Sequence, residues 1–460
     1  MGYAPIALPY NDSELHKHLH EKMKCISLPN RKQVIKLAKH THIIQFVYEI
    51  SKPILKYQDN GFVVQLGKTN DVSEIICAYP FIALFAGDNK QQNILCNIKN
   101  TIQSKGRKCR CCVDTECYLY GRDRQRIPLR DQTMFKTLTE AADNIQVKRY
   151  KNLTKQEKKR CTQDELAIII KTKEYNYIPC INRLILFANV LPFHFMFPAD
   201  KLHSLIEGVI KNVIEWTAII IFLIDIICKK ESSHRMGILD IRIKNFPYRQ
   251  SLYPFEKCHF TQGFSYYFNQ SYCETLTKGT GFMTKRLPGW KLPSLLFQLM
   301  FAIGTEDTIL PNTKQWTILA NLRQECNINK IVLDAIQSTI SLLIMYNKND
   351  GYTEKEFKTL QNLLTENRMY VSNLWILKCD LYNNSINNPK NTQPSIFGGI
   401  KHHLIERHEV EWKKHFGTEN NTYNVELSEH YHLTCKNDYE ATSKRFESTT
   451  MEMMKIYKRR

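Results

Sequence analysis

At 460 residues with 43% hydrophobic content, the chain can bury a proper core and has room for about three ordinary domains or one core carrying a large insertion. Lys and Arg outnumber Asp and Glu by 64 to 45, a formal charge of +19. The excess gathers at residues 105–110, 122–130, 148–160 and 455–460, a balance that favours a polyanionic partner. Fifteen cysteines without even spacing, behind a start that carries no secretory signal, argue against a disulfide framework and for core thiols or metal ligands in a reducing compartment.

In chain order, residues 12–58 contain no Gly. Beyond Pro29 they place Val34, Leu37, Ile43, Ile44, Phe46, Val47 and Ile50 at helical spacing up to Pro53, predicting one or two helices with a boundary at Pro29. Residues 61–66, GFVVQL, predict a strand. The apolar run 75–86 is short enough for a buried strand and stops at Gly87-Asp88, which would deliver a carboxylate to the strand's carboxyl end, a usual place for a metal-binding or catalytic acid. Taken alone, Asp88 reads as a helix cap or loop acid. A polar turn follows at Asn89, Gln91 and Gln92, and then Lys108-Cys109-Arg110-Cys111-Cys112 offers a Cys-x-x-Cys pair inside a basic loop.

Residues 121–165 are strongly charged. Arg122, Arg124, Arg126, Arg130, Lys148 and Arg149, with Arg107, Lys108 and Arg110 just upstream and Tyr118, Tyr120 and Tyr150 nearby, suit a DNA-binding surface that tracks phosphates and stacks bases. A solvated helical linker accounts for the same residues. From 178 to 228 the chain is apolar with a helical period. Its run 216–227 is interrupted by Asp225 and too short for a membrane span, so a buried helix is predicted. Asp200 and His203 stand one helical turn apart, the pattern of an N-cap with a partly buried His. Residues 315–384 predict amphipathic packing helices. Near the end, His402, His403 and His408 include a His-x4-His pair, and Glu426 and Glu429 lie about one turn apart.

Together these motifs resemble the Plavaka type of the CACTA-like transposases. The matching segments are Gly2-Tyr3-Ala4-Pro5, Gly87-Asp88, Leu95-Cys96-Asn97, Cys109-Arg110-x-Cys112, Asp200 with His203, Leu239 to Arg242, Thr280 to Lys285 running on to Gly304, Phe416 to His432, and the ending from Asp438 to Arg460. The resemblance implies an α/β fold class, a partial RNase H-like core interrupted by a large, mainly α-helical insertion. The core with the second acid would occupy 1–100, the zinc knuckle, basic segment and insertion 101–400, and the His-x4-His pair with the third acid 401–460. It assigns Asp88 as second acid and Glu426 or Glu429 as third. With the first acid these would hold Mg²⁺ ions for in-line phosphoryl transfer. The first acid would lie upstream of Met1, so this chain is expected not to nick DNA as it stands. Asp12, Asp59 and Asp71 fall too late in the pattern to replace it.

In related transposases a Cys-x-x-Cys after the second acid and a His-x4-His before the third jointly hold zinc, and Cys109, Cys112, His403 and His408 have that order. Two thiolates and two imidazoles make a closed tetrahedral structural site. Cys111, Cys117 and His402 remain alternative ligands. Asp200 and His203 would be family markers. The resemblance implies DNA, the element ends, as partner and the nucleus as compartment, with no membrane, no small-molecule substrate, and homo-oligomer formation left open. Three hypotheses stand: a catalytically incomplete transposase derivative, a domesticated DNA-binding or interaction protein, and a fragment of a longer active enzyme.

Overall fold

The computed structural model describes residues 28–66, 74–99, 109–113, 129–150, 163–189, 191–227, 234–246, 289–304, 328–348, 351–385 and 399–416, with isolated positions at 252, 260 and 287. Among them the chain is mostly helical, and the strands form one two-stranded antiparallel sheet. The mainly helical character expected from the sequence therefore stands, while an RNase H-like core, and with it an insertion into one, is not shown among the described residues. The described residues divide into two compact units, one running up to Pro198 and one beginning at Ala199.

The first unit opens with helix α1, Leu28–Asn60, which continues through Pro53 instead of stopping there. A proline removes one backbone donor and crowds the preceding turn; here the flanking turns hold the helix together. α1 ends on Gly61, whose φ of +64° is the left-handed conformation that a helix C-terminus favours and only glycine adopts freely. Its N–H donates to Tyr57 O at 2.9 Å. A Cβ at this position would lie 2.7 Å from Cys77 Sγ, so the glycine also allows the sheet to close on the helix end.

Strands β1, Phe62–Leu66, and β2, Glu74–Ala78, pair antiparallel from Phe62 opposite Ala78 to Leu66 opposite Glu74. β2 ends at Ala78, eight residues short of the predicted limit. The reason is Pro80, which cannot donate to a ladder. Residues 79–88 consequently run as irregular chain, and Asp88 does not sit at the end of a strand. It caps helix α2, Asn89–Leu95, its Oδ1 accepting from Gln91 N at 2.6 Å. Helices α3, Gln132–Tyr150, and α4, Gln163–Glu174, pack on each other. The 3₁₀ turns Arg183–Phe187 and Phe193–Met196 complete an aromatic-rich core of Phe135, Tyr177, Phe187, Phe193 and Phe197 with Ile44, Cys96 and Cys180.

A buried polar knot fixes the chain at Asn97. Its φ of 54° is a left-handed conformation that Asn tolerates and bulkier residues avoid, which explains why a glycine-like residue suits this position. The Asn97 carboxamide bonds to His40 Nε2 at 3.1 Å and donates to Cys180 O at 2.7 Å, and Asn182 donates to Leu95 O at 2.6 Å. Burial lowers the His40 pKa to about 4.

The second unit has helices and no strands among its described residues. A π-helix, Leu202–Ile210, leads into α5, Lys211–Ile227, followed by α6, His234–Lys244, α7, Leu292–Gly304, α8, Ile328–Tyr346, α9, Glu354–Ser385, and α10, Gly399–Phe416. α5 is apolar on every face and is buried accordingly, as predicted. Asp225, the charge that interrupts it, is fully buried and paired with Arg235, Nε to Oδ1 2.8 Å, with Arg235 N donating to Oδ2 at 2.9 Å. α8 is long and apolar enough to cross a membrane, yet half of it is buried in this unit. The α8–α9 pair is held in register by Asn367, which donates to Ser338 Oγ and Thr339 Oγ1 at 3.1 and 2.8 Å. α9 starts on a Thr353–Glu356 capping box, each residue binding the other's backbone N–H.

Candidate metal centre

The Cys-x-x-Cys segment folds as a tight knuckle. Cys111 N and Cys112 N both donate to Cys109 Sγ at 3.3 Å. Two backbone N–H groups are thus aimed at one sulfur. Residues 129–130 clamp this knuckle from the side. Leu129 bridges Cys112, Arg130 N donates to Cys111 O at 2.8 Å, and the Arg130 guanidinium donates through Nε to Cys109 O at 2.9 Å and through Nη1 to Tyr175 O at 2.6 Å. The same guanidinium lies 4.9 Å from the centre of the Tyr177 ring.

The histidines come from α10. His402, His403 and His408 are all buried, and the His403 and His408 rings approach to 5.2 Å between centroids. His408 also lies beside the fully buried Trp412 at 5.5 Å. The ligand atoms of Cys109, Cys112, His403 and His408 all lie within 4.8 Å of one another, and all four residues are buried. A tetrahedral zinc site with bonds of about 2.0–2.3 Å has ligand separations of about 3.3–3.8 Å, so displacements of an ångström close this set on an ion. The donors, two thiols and two imidazoles, suit zinc and leave no open position for substrate. A buried Cys2His2 cluster able to hold a metal is thus a feature of the structure.

Two of the alternatives left open by the sequence are resolved. Cys111 is not among the four grouped ligands, its Sγ donating to His194 O at 3.5 Å, and His403 stands in the cluster where His402 does not. Burial, followed by the charges of Lys401 and Arg368, lowers the His402 pKa to about 3. The thiols respond in the opposite direction. The hydrogen bond to Cys109 and burial push Cys112 up, burial and Cys109 push Cys111 up, and burial takes Cys96 up to about 12. Metal binding therefore has to displace protons from buried sulfur.

The remaining predicted site residues are placed as follows. Asp88 is half-buried and serves as the α2 cap. Asp200 is fully buried and its Oδ2 accepts from both His203 N at 2.7 Å and His203 Nδ1 at 2.6 Å. The pair is thus a capping carboxylate with a partly exposed His, at the start of a π-helix. Arg110 is almost wholly buried, with its Nε donating to Phe197 O and its Nη1 to Asn89 Oδ1. It is therefore withdrawn from the surface where a phosphate contact was expected. Asp240 accepts from Phe260 N at 3.0 Å and Arg242 donates to Ala302 O at 2.9 Å, both structural uses. Lys148 and Arg149 fall on the last turn of α3. Cys117, Arg107, Lys108, Arg122, Arg124, Glu426 and Glu429 lie outside the described residues.

Arg130 is the residue whose role the sequence hid. It sits in a run of basic residues read as a phosphate track, and nothing in that run marks Arg130 as buried. No protein-family model, no curated protein and no solved structure matches this chain.

Proposed function

We propose that this chain is a DNA-binding protein of transposase descent, similar to Plavaka-type DDE enzymes, built around a structural zinc ion held by Cys109, Cys112, His403 and His408. The observation that carries the reading is the buried four-ligand cluster, in which two motifs far apart in sequence supply one closed donor set. Two thiols and two imidazoles gathered within 4.8 Å of one another match the donor set of a structural zinc site. A closed tetrahedral donor set supplies folding energy instead of a reactive water.

The partner follows from the charge. An excess of 19 positive charges suits a phosphate backbone. An RNase H-like core and nuclear action belong to this proposal on the sequence motifs alone. On the same resemblance, Asp88 and one of Glu426 and Glu429 would stand as the second and third acids of that family.

Duplex binding measured by fluorescence anisotropy across a salt series tests the proposal. The expected result is a log–log decline of affinity with salt, weak sequence preference, and loss of binding when zinc is chelated. Binding that holds constant as salt rises severalfold, or no binding to duplex at all, would refute it.

A further inference from the structure

We infer that Arg110, which lies with Cys111 between the two cysteine ligands, is a strut that couples metal occupancy to the Asp88 turn. The inference rests on the zinc reading above and extends it from what the metal holds to what the metal positions.

A guanidinium buried to about one part in a hundred is costly unless its donors are used. Arg110 spends two of them on specific partners. Nε donates to Phe197 O and Nη1 donates to Asn89 Oδ1 at 3.0 Å. Asn89 directly follows Asp88 and is the first residue of α2, the helix that Asp88 caps. The other partner, Phe197, belongs to a brace that holds the same turn from behind. Phe85 N donates to Met196 O at 2.7 Å, Gln92 Nε2 donates to Pro198 O at 2.6 Å, and the Phe85 and Phe197 rings stack at 5.4 Å. Three consecutive carbonyls, 196 to 198, are thus claimed in turn by the residue leading into the Asp88 turn, by the arginine of the knuckle, and by the helix leaving the turn. α2 has seven residues, too few to stand without outside support. Arg110 reaches it from the one segment whose conformation the metal would set.

The consequence is directional. With Cys109 and Cys112 bound to an ion, the backbone between them is fixed and Arg110 is held against Asn89 and Phe197. Without the ion, the knuckle loses its anchor and the Asp88 cap loosens with it. Arg110 is therefore a positioning residue, acting on Asp88 through Asn89 and not by contact with nucleic acid.

Hydrogen exchange of the amides of residues 88–96 tests this in the full chain, with zinc loaded and after chelation, and with metal content measured on each sample. Stripping wild type is expected to speed exchange by about tenfold or more, the loss of one charge-assisted hydrogen bond in a local opening. Arg110→Met and Asn89→Ala, each carrying zinc, should exchange as fast as stripped wild type, and stripping them should add little. Zinc-loaded Arg110→Met as protected as zinc-loaded wild type, or wild type unaffected by stripping, would overturn the strut. Should Arg110→Met fail to fold, Asn89→Ala decides by the same criterion. A wild-type chain that carries no zinc overturns the metal reading and the strut with it, and the metal analysis distinguishes that outcome from the others.

Discussion

Replacing Arg130 by Met removes a guanidinium that joins the knuckle to the end of α4 while keeping most of its apolar volume. Two charge-assisted hydrogen bonds disappear, to Cys109 O at 2.9 Å and Tyr175 O at 2.6 Å. Each is worth about 1.5–3 kcal/mol, and the stacking on Tyr177 at 4.9 Å adds about 1 kcal/mol. Against this gross loss of about 4–7 kcal/mol stands the desolvation cost of a charge that is 5% exposed, which the neutral variant no longer bears. The net destabilisation expected is about 2–4 kcal/mol. Cys109 O is left buried without its donor, so the damage falls on the knuckle first. Urea unfolding followed by circular dichroism, with zinc release to a chromophoric chelator read in parallel, should show both transitions moving to lower urea, zinc release the further. A variant within about 0.5 kcal/mol of wild type, with unchanged zinc release, would refute the clamp.

His40 gives a pH prediction. Its folded pKa of about 4 lies below the unfolded value of 6.5, so the unfolded chain binds the proton first. Stability is then lost as pH falls from about 6.5 toward 4, by about 2.5 kcal/mol at pH 4.5. In His40→Gln, urea midpoints at pH 7 and 4.5 should differ by that much less than in wild type; equal pH dependence would contradict the assignment. Gly61→Ala forces a Cβ to 2.7 Å from Cys77 Sγ at a φ of +64° and should cost about 2–3 kcal/mol in thermal or urea unfolding. Asp225→Asn removes the carboxylate charge that faces the buried Arg235 and should destabilise the second unit by about 3–5 kcal/mol. A loss under about 1 kcal/mol would show that the pair is dispensable.

How far the sequence could be read depends on the range of each signal. Helices such as α1 and α5 were legible because periodicity repeats over many turns. Their ends were less so, since Pro53 is absorbed by neighbouring turns while Pro80 breaks β2. The same residue type decides differently because a helix hydrogen bond lost in the middle of a long helix has neighbours to compensate, and a short ladder has none. The four clustered Cys and His residues were legible as spaced pairs of residues with few other uses. The structure sorted them from Cys111 and His402, which spacing cannot do. Arg110 and Arg130 were read as surface charge because burial leaves no mark on an isolated arginine. The π-helix at Leu202–Ile210 was hidden for a related reason: its apolar pattern is nearly the one an α-helix would show.

The central claim is that Cys109, Cys112, His403 and His408 hold one zinc ion. Metal analysis of the purified full chain, with Co²⁺ substitution to read the ligand field, tests it most directly. About one zinc per chain is predicted, with a tetrahedral thiolate–cobalt spectrum on exchange. Both should be lost in Cys112→Ser and in His408→Ala and kept in Cys111→Ser and His402→Gln. Folded wild-type protein without zinc, or zinc that survives His408→Ala unchanged, would contradict the account.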